Sequence, residues 1–163
     1  MDFERLYTNN TLKISEMSSL ATKIVRDYYD PIIGEEQNTY MLKKFQTKES
    51  IIQQINNGAR YYFLKNNGEN IGFMSFYPRL DSMYLSKWYL LKTARNQGFG
   101  KECLKFLIQE VRKENLKAIE LNVNRFNPTQ HIYEHLGFKR IREEKIDVGS
   151  GFFMDDFVYR LEV

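Results

Sequence analysis

The chain has 163 residues, of which 42% are hydrophobic and 28% are charged, and these values exclude a disordered or fibrous protein. Its 24 basic and 21 acidic residues give a net charge of +3. This charge is too balanced for a nucleic-acid-binding protein with one basic face, but it suits a protein that holds a polyanionic cofactor. With 1 cysteine and 2 histidines, the chain can form no internal disulfide and has no full set of metal ligands among these residues, so we predict no metal site.

The first residues do not show a basic segment followed by an apolar stretch, so we expect no secretory signal, and no run approaches the roughly 18 apolar residues that a membrane span requires. A lone cysteine, Cys103, suits a reducing compartment, so we predict a cytoplasmic protein with no membrane and no nucleic-acid partner. No repeat, low-complexity tract or Pro-, Gly- or Ser-rich linker divides the chain. We therefore expect a single domain spanning residues 1–163.

Periodicity in the first half predicts helices between an early strand and a hairpin. The expected elements are a strand at residues 3–8, a helix at 15–29 capped by Ser15 and ended by Asp30-Pro31, a helical stretch through 40–45, and a helix from 47–50 to Asn57-Gly58. From Tyr61 the period changes to that of strands, and residues 61–65 and 70–77 flank an Asn-Asn-Gly turn as a β-hairpin.

The second half alternates strands and helices. The expected elements are a strand at residues 82–91, an amphipathic helix from about Phe99 to Val111, a strand at 118–123, a short helix at 127–136, and strands at 141–148 and 152–161. A strand, helix and strand in this order form a crossover, which requires one parallel pair inside an otherwise antiparallel sheet. The sequence therefore predicts an α/β sandwich with a mixed sheet.

The loop at residues 95–100, Arg-Asn-Gln-Gly-Phe-Gly, lies between a predicted strand and a predicted helix. Gly98 and Gly100 let the backbone approach a ligand, and the amides of a helix N-terminus favour negative charge. A diphosphate fits such a loop, with Arg95 and Lys101 as cationic partners. The loop has neither the Walker A pattern nor the third glycine of a Rossmann fingerprint, since Cys103 stands there. A tight turn with no ligand is the alternative.

Two motifs together carry a family resemblance. Arg95-x-x-Gly98-x-Gly100, between a strand and an amphipathic helix, resembles the acetyl-CoA motif of the GNAT superfamily of N-acetyltransferases. Residues 127–138, with Asn127 and Tyr133, are similar to the family's N…Y-E-x-x-G-F segment. The resemblance covers roughly residues 71–163. Residues 29–34 and 151–156 resemble the bacterial polyamine (spermidine/spermine) N-acetyltransferase branch.

The resemblance implies a fold, a cofactor and its contacts. It implies a GNAT-like α/β (α+β) sandwich, with a mixed, mostly antiparallel central sheet of about 6–7 strands and helices on both faces. It implies acetyl-CoA (coenzyme A) as cofactor, with a pantetheine arm that pairs with a strand as an added strand would. The implied cofactor-binding residues are Tyr89, Leu90, Leu91, Arg95, Asn96, Gln97, Gly98, Phe99, Gly100, Lys101 and Asn127.

Tyr133 is the implied catalytic residue. When an amine attacks the thioester, a thiolate leaves, and a nearby phenol can protonate it. A tyrosine that only packs on a helix face is the alternative. The pair His131 and His135 has metal-ligand spacing, but no third ligand is evident, and we expect both at the surface.

The sequence departs from the family at the expected base. Relatives often carry a glutamate in the strand before the loop, where this chain has Ser86 next to Lys87. An ammonium acceptor must lose a proton before it attacks, so another base or a water chain is needed. The candidates are Asp81, Asp155 and Asp156, and the last two are also our candidate substrate-binding residues for a cationic acceptor. Two solvated carboxylates at a strand bulge are the alternative.

We therefore predict an acyl-CoA-dependent N-acetyltransferase that transfers acetyl from acetyl-CoA to a primary amine of a small molecule, such as a polyamine, by direct attack in a ternary complex. One alternative is an acetyltransferase for protein N-terminal or lysine amines. Another is a non-catalytic acyl-CoA-sensing module, which the missing strand glutamate favours. The acceptor, the acyl group, the base and the oligomeric state stay open, with a homodimer among the options.

Overall fold

The computed structural model describes the whole chain, residues 1–163. The elements are β1 (Asp2–Leu6), α1 (Thr11–Ile33), α2 (Glu35–Phe45), α3 (Lys48–Asn56), β2 (Arg60–Asn66), β3 (Glu69–Arg79), β4 (Ser82–Leu90), a short 3₁₀ turn (Lys92–Ala94), α4 (Phe99–Lys113), β5 (Ala118–Asn124), α5 (Gln130–His135), β6 (Lys139–Gly149) and β7 (Phe152–Glu162). The order of helices and strands is the predicted one. No helix combines the length and the apolar character that crossing a lipid bilayer requires.

Seven strands form one sheet in the order β1-β2-β3-β4-β5-β7-β6. The pairs β1–β2, β2–β3, β5–β7 and β6–β7 are antiparallel. Strands β4 and β5 are parallel, and Ser82 to Tyr84 lie opposite Ala118 to Glu120. The parallel pair arises because α4 carries the chain back to the starting end of the sheet before β5 begins. The predicted mixed, mostly antiparallel sheet is confirmed.

Helix α1 differs from its prediction at both ends. Its N-cap is Asn10, whose side-chain oxygen accepts from the Lys13 amide at 3.1 Å, so Ser15 as the cap was wrong. Pro31 does not end the helix but lies inside it, and Gly34 follows the last helical residue. A proline this close to the C-terminus removes only one hydrogen bond from the helix, which packing can offset.

Helix α5 is shorter than predicted, beginning at Gln130 rather than at Asn127. The side-chain oxygen of Asn127 accepts from the amide of Thr129 at 2.9 Å and from its hydroxyl at 2.7 Å. Such a local side-chain bond competes with the helical bonds, so residues 127–129 form a turn that leads into the helix.

Two compact units divide the described chain: unit 1 comprises Met1–Tyr77 and Lys87–Phe99, and unit 2 comprises Pro78–Ser86 and Gly100–Val163. In unit 1, residues of α1 such as Met17 and Ala21 are buried with Phe63 and Phe73 of the strands. In unit 2, the buried residues include Cys103, Leu107, Val111, Ile119, Leu121 and Tyr159. One domain for the whole chain stays a prediction.

Candidate active site

The predicted cofactor loop follows the 3₁₀ turn and leads directly into α4. Asn96 and Gly98 both have left-handed backbones, with φ of 62° and 85°. A Cβ added at Gly98 would meet no atom within 4 Å, so conformation and not crowding favours glycine there. The side-chain amide of Gln97 donates to the Thr93 carbonyl at 2.7 Å and holds the loop.

The start of α4 suits an anionic group. The first four amides of an α-helix have no acceptor within the helix, and the helix dipole adds positive potential at that end. Lys101 lies exposed in this first turn, and Gly98, just before the helix, is open to solvent. The residues present therefore fit a diphosphate, which is the group that coenzyme A would offer. The individual contacts of Asn96 to Lys101 with a cofactor stay predictions.

Arg95 contacts the preceding strand. Its Nε and Nη2 atoms donate to the Leu90 carbonyl at 3.2 and 3.1 Å, and its guanidinium carbon lies 4.9 Å from the centre of the Tyr28 ring. A planar guanidinium makes both contacts at once, which a lysine could not do. Arg95 thus fixes the end of β4 relative to the loop, a role that the sequence did not reveal.

The end of β4 packs closely on β3. The Leu91 amide donates to the Ile71 carbonyl at 2.8 Å, and the Leu91 carbonyl accepts from the Ala94 amide at 2.9 Å. A Cβ added at Gly72 would stand 2.2 Å from the Tyr89 carbonyl oxygen, so no other residue fits there without a backbone shift. The predicted pantetheine-binding strand end is therefore held in place by these two main-chain hydrogen bonds and by its close approach to Gly72.

Tyr133 and Asn127 lie in unit 2. The Tyr133 ring is half-buried in α5, with its centre 5.9 Å from the Phe138 ring and 6.3 Å from the Tyr159 ring. The Tyr159 hydroxyl donates to Glu134 Oε1 at 2.9 Å. These contacts fix the position of the Tyr133 ring but leave its catalytic role a prediction. Asn127 is 3% exposed and caps its own turn, and a bond from it to pantetheine also stays a prediction.

The three candidate carboxylates have different environments. Asp81 accepts from Nη1 and Nη2 of Arg160 at 3.2 and 3.1 Å, and this pairing holds its pKa below the ordinary value. Asp155 accepts from Arg125 Nε at 3.2 Å. Asp156 is 3% exposed and accepts from Asn122 Nδ2 at 3.3 Å, and burial raises its pKa to about 6.

A polar network around Asp156 was missed from the sequence. Asn122 also donates to Glu144 Oε2 at 3.0 Å and accepts from the Tyr84 hydroxyl at 3.0 Å. The signal was present in β5, where Glu120, Asn122 and Asn124 place a polar residue at every second position of an otherwise apolar strand. Such alternation predicts one polar face on a strand whose other face is core.

Lys87 was noted only as the neighbour of Ser86, yet it is buried in unit 1. Its Nζ donates to Gln54 Oε1 at 2.7 Å and lies 5.3 Å from the Tyr61 ring centre. Burial lowers the pKa of Lys87 to about 8. His131 and His135 are exposed on α5, and no group of three or more His, Cys, Asp or Glu residues is arranged to hold a metal ion.

Comparison with known proteins identifies a family. The model of the acetyltransferase (GNAT) family matches residues 22–138. A curated relative, the [ribosomal protein bS18]-alanine N-acetyltransferase of Haemophilus influenzae, is 33% identical over 88 residues. These residues are 53% of this chain and 60% of that relative, so the match spans less than two thirds of the relative's length.

Two solved structures are similar over nearly the whole chain. The PaiA N-acetyltransferase from Thermoplasma acidophilum, in complex with coenzyme A, has a TM-score of 0.76 at 18% identity and covers 100% of both chains. The ribosomal-protein-S18-alanine N-acetyltransferase from Escherichia coli has a TM-score of 0.67 at 18% identity and covers 99% of this chain and 93% of that one. At this identity the likeness shows the fold.

Proposed function

Because the chain belongs to the acetyltransferase (GNAT) family, we propose that it transfers acetyl from acetyl-CoA to a primary amine by direct attack in a ternary complex. The chain is an acyl-CoA-dependent N-acetyltransferase, and its cofactor is acetyl-CoA. The observation that carries the proposal is the loop before α4, where Gly98 takes a left-handed backbone and α4 begins at the next residue. Direct attack needs no covalent enzyme intermediate, so the chain has only to bind both substrates and move protons.

On the cofactor side, the amides of Gln97 to Lys101 hold the diphosphate at the positive end of α4. The backbone of Tyr89 to Leu91 binds the pantetheine arm, and Asn127 contributes a further bond to it. Arg95 supports both parts, because its two bonds to Leu90 fix the strand end relative to the loop. The contact between its guanidinium and Tyr28 supports this positioning role.

Tyr133 protonates the departing sulfur. A phenol hydroxyl placed beside the departing thiolate can donate its proton to it. Its place on α5 beside Phe138 and Tyr159 supports this role, because a packed ring keeps its hydroxyl in one position. Asn127 lies shortly before helix α5, which contains Tyr133, and both residues belong to the same family motif.

The acceptor is a primary amine of a cationic small molecule, such as a polyamine. The buried carboxylate of Asp156 supports this proposal, since the charged groups that act on it are themselves acidic and a cation would stabilise it. A protein N-terminal amine is the second candidate. The Haemophilus influenzae relative, whose name states that it acetylates a ribosomal protein alanine, favours that candidate.

A panel of acceptors tests the proposal. The protein is incubated with acetyl-CoA and either polyamines, monoamines, or peptides that begin with alanine, and free thiol and product mass are followed. Thiol release with a polyamine supports the first acceptor class, and release with the peptides alone supports the second. If the protein binds coenzyme A but releases no thiol with any amine, the proposed enzymatic activity is overturned and an acyl-CoA-sensing module is favoured.

Tyr133→Phe tests the acid. We expect a fall of roughly 10²–10⁴ in kcat, which is the range of general acid–base catalysis, with little change in acetyl-CoA affinity. Tyr7→Phe, at a ring that is 56% exposed, is the matched control and should retain full activity. Equal activity in both variants would remove Tyr133 from the mechanism. A cytoplasmic location and a homodimer stay predictions of the sequence.

A further inference from the structure

Unit 2 has a polar face on its part of the sheet, formed by Tyr84, Asn122, Asn124, Glu144 and Asp156. Asp156 lies opposite both Asn124 of β5 and Glu144 of β6, and Tyr84 lies opposite Glu120 of β5. Residues opposite each other in neighbouring strands share a face, and so do alternate residues of one strand. These five side chains therefore belong to one continuous surface that connects strands β4, β5, β7 and β6.

We propose that Asp156 is the base that takes the proton from the acceptor's ammonium group, and that Asn122 and Tyr84 position it. This inference rests on the proposed function, and it names the residue that replaces the missing strand glutamate. Of the three candidate carboxylates, Asp81 and Asp155 are each engaged by an arginine. The groups that act on Asp156 are Asn122, Glu144 and Asp155, and none of them is a cation.

Asn122 holds the Asp156 carboxylate in one orientation. Its amide nitrogen lies between two carboxylates, 3.3 Å from Asp156 Oδ2 and 3.0 Å from Glu144 Oε2. Its amide oxygen accepts from the Tyr84 hydroxyl, and this bond prevents the amide from turning over. The proposal requires the other carboxylate oxygen, Oδ1, to reach a substrate amine, either directly or through one water.

The surroundings of this face shift the pKa values of Glu144 and Asp156 in opposite directions. The hydrogen bond from Asn122, together with Arg142, lowers the pKa of Glu144, whereas burial raises the pKa of Asp156 and the charges of Glu144 and Asp155 raise it further. In enzyme active sites, two neighbouring acids whose pKa values differ because of their environments often have different roles in proton transfer. Glu144 stays ionised, and Asp156 becomes a stronger base than an ordinary aspartate.

Asp156 takes one proton from the ammonium, and the freed electron pair of the nitrogen forms the C–N bond to the thioester carbon. The C–S bond breaks, the sulfur leaves with its electron pair, and Tyr133 gives it a proton. The second nitrogen proton passes through water to Tyr133, and Asp156 releases its proton to solvent. The sum is thioester plus ammonium to amide, thiol and one proton.

The two residues approach from different faces of the sheet. Tyr133 packs against Tyr159, whose side chain lies on the face opposite to that of Asp156 because the two residues are an odd number apart on β7. Both residues can act on one thioester only if its carbonyl lies beyond the strand ends, where groups from either face of the sheet can reach it.

Asp156→Asn is the primary test, with the most active amine of the acceptor panel as the probe. The substitution keeps size and shape and removes the base. We expect kcat/KM for the amine to fall by roughly 10²–10⁴, the KM for acetyl-CoA to stay within about twofold, and the acidic limb near pH 6 to disappear from the pH profile. Glu143→Gln is the matched control: it removes an exposed carboxylate of β6 that points to the opposite face, and its activity should be unchanged.

Asn122→Ala is the second test and reads out positioning. The bond from Asn122 lowers the pKa of Asp156, so its loss should move the acidic limb of kcat/KM to higher pH and leave acetyl-CoA binding intact. An Asp156→Asn enzyme with normal kcat/KM, or an Asn122→Ala enzyme with an unmoved limb, overturns the inference and leaves the proposed function standing. No thiol release by the natural chain with any amine overturns both.

Discussion

The guanidinium of Arg95 donates two hydrogen bonds to the carbonyl of Leu90, at 3.2 and 3.1 Å, and so connects the predicted cofactor loop to the end of β4. An arginine in a phosphate-binding motif is usually expected to contact the phosphate. Here the side chain instead connects two stretches of backbone that the proposed function assigns to one ligand. The positive charge of Arg95 still lies next to the loop. Arg95 therefore positions the strand end and also adds positive potential near the loop.

Arg95→Lys should weaken acetyl-CoA binding although the charge is retained. A lysine cannot donate two parallel bonds and stack on the Tyr28 ring at the same time, so the strand end loses its fixed position. We expect the Kd for acetyl-CoA to rise about 5- to 20-fold, which corresponds to roughly 1–2 kcal/mol. Isothermal calorimetry measures it. Arg112→Lys, at an exposed position of α4, is the control, and an equal Kd for both variants would contradict the positioning role.

Gly98→Ala should separate backbone strain from cofactor binding. Gly98 has φ of 85° in open space, so alanine adds no clash but strains the backbone by about 1–2 kcal/mol. Gly151 in the β6–β7 turn has φ of 79° and is equally open, so Gly151→Ala carries the same strain away from the loop. We expect similar losses of unfolding free energy in urea for both variants, and a raised Kd for coenzyme A only in Gly98→Ala. Equal coenzyme A affinities would remove the loop from the site.

Asp156→Asn should stabilise the protein at neutral pH. Burial raises the pKa of Asp156 from 3.8 to about 6, so the folded state favours the protonated acid. That preference stabilises the fold below about pH 4 and is lost as the pH rises toward 6, above which the native state carries the cost of a buried charge. Removing the charge should increase the free energy of unfolding by at most roughly 3 kcal/mol at pH 7.5, and by little at pH 4. Urea unfolding of both proteins across this pH range measures the difference.

A stabilised but inactive Asp156→Asn variant is the result expected for a catalytic group, because functional sites often retain groups that lower stability. A variant that is destabilised at pH 7.5 would instead identify Asp156 as an ionised structural acceptor for Asn122.

Lys87→Met should also stabilise unit 1, with the opposite dependence on pH. Burial lowers the pKa of Lys87 from 10.5 to about 8, so the cost of the buried charge is fully present below pH 8 and disappears as the pH rises toward 10.5. Gln54 keeps a donor in the variant, since the Tyr61 hydroxyl donates to the same oxygen at 2.9 Å. We expect the free energy of unfolding to increase by at most roughly 3 kcal/mol at pH 7, and by less at pH 10. Lys92→Met, at an exposed position, should show no such change.

Sequence patterns predicted the features of the fold that depend on residues close together in the chain. The order of helices and strands follows from apolar periodicity, and the parallel β4–β5 pair follows from the strand–helix–strand order. The loop at Gly98 could be singled out because a glycine directly before a helix is visible from neighbouring residues of the chain, and its role in cofactor binding stays a prediction. Element ends were less well predicted: Asn10 and not Ser15 caps α1, and Pro31 lies within it, because packing outweighs small local preferences.

The sequence by itself predicted the family and its cofactor, and it located the predicted cofactor loop, because Gly98 and the start of α4 are adjacent in the chain. It left three aspartates as equal candidates for the base, since Asp81, Asp155 and Asp156 have the same intrinsic acidity. Only the tertiary structure separated them, by placing Arg160 and Arg125 against the first two and burying the third beside Asn122. Proton affinity depends on burial and on charges brought together from distant strands, and these are properties of the fold.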